Sequence, residues 1–130
     1  MKELNPLTKQ IVDAAYQVHT RLGPGLLESV YEKVLVYEIA KRGLKVDSQK
    51  AIPITYDSMR FEAGFRADLV VNDCIILELK SVQALNAVME AQLLNYLKAT
   101  GIQIGLLVNF KHSKADIKRM VLDLPEGNGV

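Results

Sequence analysis

Phe65-Arg66-Ala67-Asp68-Leu69-Val70-Val71-Asn72-Asp73-Cys74-Ile75-Ile76-Leu77-Glu78-Leu79-Lys80 reads as two apolar strands around a turn, interrupted by Asp68, Glu78 and Lys80. An unpaired buried charge costs several kcal/mol or more, so a chain that keeps an acid, an acid and a lysine there has a use for them. Lys80 is two residues beyond Glu78 and shares its strand face. Two carboxylates and a lysine converging at a sheet edge offer hard oxygen ligands of the kind that suit Mg²⁺ or Mn²⁺, with a cation beside them.

The turn decides whether the acids meet. A two-residue turn at Asn72-Asp73 pairs Asp68 with Leu77 and sends Asp68 and Glu78 to opposite faces. A three-residue turn, Asn72-Asp73-Cys74, or a bulge, sets Asp68 directly across from Glu78. The same residues also read as cross-strand ion pairs with Arg66 and Lys80, and spacing alone does not choose between a site and such pairs.

Upstream of this stretch the periodicity is helical. Asn5-Pro6 is a helix start, and Leu7, Ile11, Ala14, Ala15, Val18 and Leu22 fall on one stripe. Gly23-Pro24-Gly25 stops that helix. A second helix is expected from about Leu27 to Arg42, with Leu27, Val30, Tyr31, Val34, Leu35 and Ile39 inward. From Lys50 the period becomes that of a strand through Tyr56, with a turn at Asp57-Ser58 and another strand from Met59 to Phe65. Downstream, a helix is expected from Ala87 to Thr100, packing through Val88, Ala91, Leu94 and Leu97 or Tyr96. Gln103 to Phe110 reads as a buried strand, Ser113 to Leu122 as either a strand or a short helix, and the tail from about residue 123 as frayed. The order α-α-β-β-β-α-β plus a short last element is that of an α/β protein with a mixed sheet and flanking helices, the third helix crossing between parallel strands.

The chain has 130 residues, 49% of them hydrophobic and 24% charged, which suits one globular domain spanning 1–130. The net charge of +1 neither demands nor excludes a nucleic-acid partner. Cys74 is the only cysteine, so no intrachain disulfide can form, and a buried thiol in a reducing, cytoplasmic setting is expected. No apolar run approaches the length of a membrane span, and Met1 to Pro6 lack the apolar core of a signal peptide.

Asp68 followed by Glu78-Leu79-Lys80 resembles the motif of the PD-(D/E)xK nuclease superfamily. Gly25-Leu26-Leu27-Glu28-Ser29-Val30-Tyr31 is similar to the motif that names its GxxExxY branch. Leu22-Gly23-Pro24-Gly25 and Gln92-Leu93-Leu94-Asn95-Tyr96 resemble that branch as well, so the likeness runs from about Asn5 to Leu122. The superfamily's proline before the first acid is replaced by Ala67, at a position that varies widely. The resemblance implies a restriction-endonuclease-like core and a Mg²⁺- or Mn²⁺-dependent nuclease acting on nucleic acid, DNA above all. It implies Asp68, Glu78 and the Leu79 carbonyl as metal ligands, Glu28 as an additional acid brought to the metal, and Lys80 acting on the attacking water. Gln92 and Tyr96 would support the site and contact DNA, with Tyr31 beside them.

From residue chemistry alone, Glu28 is equally a first-turn acid favoured by the helix dipole, and Gln92 with Tyr96 a buried tyrosine and its partner. His19 is expected to pack rather than to ligate. Lys41, Arg42, Lys45 and Lys50 form one basic group; Lys111, His112, Lys114, Lys118 and Arg119 form another, either of which could meet phosphates. Because fold alone does not establish a reaction, a catalytically silent module that binds nucleic acid or a protein partner is the other reading. The short length leaves little room for a separate substrate-selecting domain and leaves open self-association or membership of a larger assembly.

Overall fold

The computed structural model describes residues 4–122, so the tail from residue 123 lies outside the described residues. In chain order the elements are α1 (Leu4–Leu22), α2 (Glu28–Lys41), β1 (Val46–Tyr56), β2 (Met59–Val71), β3 (Ile75–Lys80), α3 (Ala87–Thr100), β4 (Ile104–Asn109) and β5 (Asp116–Val121). The strands lie side by side in sequence order. β3 and β4 are parallel and the other neighbours antiparallel, so the sheet is mixed, with α3 as the crossover. Parallel neighbours need such a crossover because the end of one strand and the start of the next lie a strand length apart, at opposite ends of the pair.

The alternation of strand side chains divides the core in two. Leu69, Val71, Ile75, Leu77, Leu79, Leu106 and Val108 pack against α1 and α2. Ile52, Ala67, Val70, Ile76 and Leu107 pack against Leu93 and Leu97 of α3. β3 and β4 are buried on both faces, which is why they read as unbroken apolar runs.

Several expectations shift by a turn or less. Helix α1 already includes Leu4, and the Asn5 side chain accepts from Arg119 of β5 at 3.2 Å. Leu27 and Val30 are 74% and 38% exposed, not inward, because the phase of α2 is set by Tyr31, Leu35 and Ile39, which are fully buried. On α3 the inward line is Leu93 and Leu97, while Val88 is 78% exposed and Ala91 faces solvent. The reason lies in β4: a side chain at Gly105 would come within 2.9 Å of Leu93, so the missing Cβ is the seat that fixes the helix phase. β2 is one strand of 13 residues rather than two pieces, and β1 begins at Val46 instead of Lys50. The ambiguous last element is a strand, β5. Cys74 is only partly buried.

Tyr31 holds the corner between the first two helices. Its ring lies flat on Phe110, centroids 4.4 Å apart, and its hydroxyl donates to the Gly23 carbonyl at 2.6 Å while accepting from the Leu26 amide at 3.1 Å. His19 packs in the same stack, as expected, with Nε2 3.1 Å from the Phe110 carbonyl. Tyr31→Phe keeps the stack and loses both bonds, leaving two backbone groups without their partner. It should lower unfolding free energy by about 1–3 kcal/mol, read as a shift of the urea midpoint at unchanged m.

Candidate functional site at the parting of the second and third strands

The β2–β3 turn has the odd length that brings the acids together. Leu69 pairs with Leu77, Val70 with Ile76 and Val71 with Ile75, leaving Asn72, Asp73 and Cys74 as the loop. Asn72 and Asp73 take φ of +51° and +55°, a region their short polar side chains tolerate, and the Cys74 amide closes on the Val71 carbonyl at 2.9 Å. Asn72 is fixed by exchanging bonds with Lys45, through its amide and its side-chain oxygen, both at 2.8 Å. One step further along this register, Asp68 stands across from Glu78.

At that step the two strands part. β2 continues against β1, and β3 continues against β4 as far as Lys80 opposite Asn109. In the opening, carboxylates replace backbone carbonyls as acceptors. The Asp68 amide donates to Glu78 Oε2 at 2.9 Å, and the Leu79 amide donates to Asp68 Oδ2 at 2.8 Å. Each acid thus holds the backbone that carries the other. The carbonyl of an extended residue projects to the same side as its amide, so the Leu79 carbonyl borders the same opening.

The cross-strand ion pairs that spacing also allowed are not formed. Arg66 donates to the Gln49 carbonyl at 3.1 Å, and no ion pair among the described residues involves Asp68, Glu78 or Lys80. Glu78 is 6% exposed, and its pKa is pushed up to about 7. Burial is the largest cause and the Asp68 charge the next. The Asp68 amide and the Lys80 ammonium oppose the rise, and Glu32 adds to it. Tyr96 is raised above the usual phenol range by burial and then by the charges of Glu78 and Asp68. Its ring stacks on Phe65 with centroids 3.7 Å apart.

Glu32 is the residue that sequence reasoning missed. Its two oxygens accept from Gln49 Nε2 at 2.9 Å and Ser48 Oγ at 2.8 Å, and Gln49 Nε2 also reaches Asp68 Oδ1 at 3.3 Å. Gln49 manages this with φ of +53°, opposite Asp68 on β1. The signal was available, since Glu28 and Glu32 are four apart on one helix face. Glu28 itself accepts from the Ser81 amide at 3.1 Å, which places it beside the end of β3 after Lys80. Gln92 is exposed and has no side-chain hydrogen bond among the described residues. Tyr31, expected either to support the site or to meet nucleic acid, is fully buried, which leaves it the supporting role.

Asn109 was also missed, because one asparagine in an apolar strand carries no pattern. It is fully buried and pins the segment leaving the site. Its Oδ1 accepts from the Val82 and Lys111 amides at 3.0 and 3.2 Å, and its Nδ2 donates to the Val82 carbonyl at 2.8 Å. Asn109→Leu orphans those groups and should cost about 2–4 kcal/mol, measured by urea unfolding.

Of the basic groups, the first is largely paired internally. Lys41 meets Glu38, Lys45 and Lys50 meet Asp47 and Asp73, and Arg42 donates to Gln10 and Gln17. In the second, His112 Nε2 lies 2.6 Å from the Gln83 carbonyl, while Lys111, Lys114 and Lys118 are exposed without an ion pair among the described residues. No helix among the described residues is long and apolar enough to cross a membrane.

A mixed sheet with helices on both faces, carrying an acid and an acid-x-lysine where two central strands part, defines the restriction-endonuclease-like fold class. The chain belongs to the PD-(D/E)XK nuclease superfamily, whose family model matches residues 5–120. The crystal structure of SSO0001 is similar in fold, with a TM-score of 0.57 at 16% identity over 96% of this chain. This chain spans 62% of the length of that one. No curated protein matches the chain.

The superfamily's usual divalent ion can be tested against the donors present. Among the described residues no group of three or more His, Cys, Asp or Glu side chains could hold a metal ion. The donor set is narrower: two hard carboxylates and a backbone carbonyl around one opening. That fits Mg²⁺, which is bound through one or two carboxylates and keeps its other positions for water and phosphate.

Proposed function

We propose that this protein is a metal-dependent nuclease that hydrolyses phosphodiester bonds of nucleic acid, DNA in the first place. The observation that carries the reading is the reciprocal hold of Asp68 and Glu78 in the strand opening, with Lys80 two residues beyond Glu78 on the same strand. Asp68, Glu78 and the Leu79 carbonyl would hold Mg²⁺ or Mn²⁺. When bound, the ion supplies a polarised phosphate oxygen and a water of lowered pKa. Lys80 would orient that water and stabilise charge developing on the phosphate. Gln49 and Glu32 fix the free oxygen of Asp68, and Glu28 fixes the chain beyond Lys80. Gln92 and Tyr96 fit a role at the rim of the site, on the nucleic-acid side. Gly25, Glu28 and Tyr31 with Gln92 and Tyr96 support placement in the GxxExxY branch. We further read the chain as one domain working in the cytoplasm, consistent with its single partly buried thiol, alone or within an assembly.

The test is cleavage of single-stranded DNA, duplex DNA and RNA with Mg²⁺ or Mn²⁺ against an EDTA control. Activity that persists unchanged in Asp68→Ala and Lys80→Ala would refute the assigned site. Oligonucleotide or partner binding with no divalent-metal binding by calorimetry, and no cleavage, would make the chain a silent binding module instead.

A further inference from the structure

β2 pairs with β3 only through Leu69, Val70 and Val71, so from Met59 to Arg66 its one strand neighbour is β1. The two leave the sheet as a ribbon closed at Asp57-Ser58. Directly opposed residues share a face, and residues two apart along β1 share it too. Ile52 pairs with Phe65 at the root and, beyond an irregularity in register between Ile52 and Ile54, Ile54 pairs with Phe61 and Tyr56 with Met59, so apolar pairs recur from the root of the ribbon to its tip. Exposure grows along it: Ile52 is 5% exposed, Phe61 49%, Met59 55% and Tyr56 70%. At the root, Phe65 stacks on Tyr96 of α3. Lys98 lines a depression beside Ile54 and Thr55 together with Arg60, whose guanidinium is paired with Glu62, and Arg66 is exposed at the root.

The geometry points to this ribbon face as a stacking platform for unpaired bases of the nucleic-acid strand that the site cleaves. Large flat side chains recurring along a ribbon that leaves the site, with Lys98 and Arg66 beside them, suit a polyanion whose units each present a π-face. Bases inside a duplex are already stacked and offer no free face, so the platform selects single strands or splayed ends. At about 3.3 Å per residue, the ribbon tip stands roughly 30 Å from Asp68, a span of several nucleotides. The inference rests on the nuclease reading for its ligand, and its test is kept separate from catalysis.

Binding of an oligothymidylate of about 20 nucleotides and of a hairpin duplex is measured by fluorescence anisotropy in EDTA, where no cleavage occurs. Tyr56→Ala/Phe61→Ala should weaken oligothymidylate binding about 10- to 100-fold, leave duplex binding within about 2-fold and keep the wild-type circular dichroism. Phe61→Trp, which introduces the only tryptophan in the chain, should keep binding and be quenched by the oligonucleotide. Unchanged affinity in the double variant, or no oligothymidylate binding by the wild type, overturns the platform. So does light scattering that shows a wild-type dimer dissolved by the double variant at unchanged affinity, which would make the face a contact between copies. Loss of cleavage in Asp68→Asn with binding intact leaves the platform standing, whereas cleavage by a chain whose ribbon variants bind normally leaves the nuclease reading standing alone.

Discussion

Asp68→Asn is expected to lose Mn²⁺ binding and to cut at least about 10³-fold more slowly, while Lys80→Ala keeps the ion and loses about 10²- to 10⁴-fold in rate. The two variants separate holding a metal from acting on the water. In Asp68→Asn the side-chain oxygen still accepts the Leu79 amide, so the strand opening keeps its backbone bond, while the charge and the acceptor that faces Gln49 Nε2 are gone. Lys80 has no ion pair among the described residues, so its removal leaves no partner stranded. Isothermal titration with Mn²⁺ and single-turnover cleavage read the two quantities independently. Equal Mn²⁺ affinity in wild type and Asp68→Asn would remove Asp68 from the ligand set.

Glu78→Gln should be more stable than the wild type at pH 8 by about 2–3 kcal/mol in EDTA, with the difference vanishing near pH 4.5. The sign follows from the raised pKa, about 7 in the fold against an ordinary 4.5. Between those values the native state holds more protons than the unfolded chain, so wild-type stability falls as pH rises through the window and levels off above it. A glutamine in the same place accepts the Asp68 amide and never ionises. Urea unfolding of both proteins from pH 4.5 to 8.5 gives the two curves, and parallel curves would contradict the assignment. Divalent metal should reverse the wild-type trend, because it binds the ionised pair and adds stability at pH 8 rather than at pH 5. The Asp68→Asn background offers an internal control. With the second-largest cause of the shift removed, Glu78 should titrate lower, yet still above 4.5 because burial is the largest cause.

The element order and the core of the site were legible because both rest on short-range rules. α3 runs from Ala87 to Thr100, capped by Asn86 and stopped by Gly101, as local signals required. The odd β2–β3 turn followed from demanding that Asp68 and Glu78 meet, a demand made by the cost of burying charge. Phases and long-range partners were harder. Leu27, Val30 and Val88 read as inward because apolar periodicity reports a stripe but not which of two stripes faces the sheet. That choice is made elsewhere, by Tyr31 closing the Gly23–Leu26 corner and by Leu93 seating on Gly105. Glu32 and Asn109 were missed for the same reason: their partners are 17 and 27 residues away, and for Glu32 only its four-residue spacing from Glu28 hinted at a role. The free basic patch expected from Lys41 to Lys50 dissolves because Asp47 and Asp73 lie between those lysines.

By itself, then, the sequence determined the elements, the mixed sheet and the acid, acid and lysine at its centre, since periodicity and the cost of buried charge act residue by residue. Only the tertiary structure decided how those charges are held. β2 and β3 part at Asp68 because β1 and β4 draw them to opposite sides, and the carboxylates take over the amides that the ladder leaves free. Burial and the charge of Asp68 then raise the proton affinity of Glu78, an effect of proximity across the fold that no spacing in the chain records.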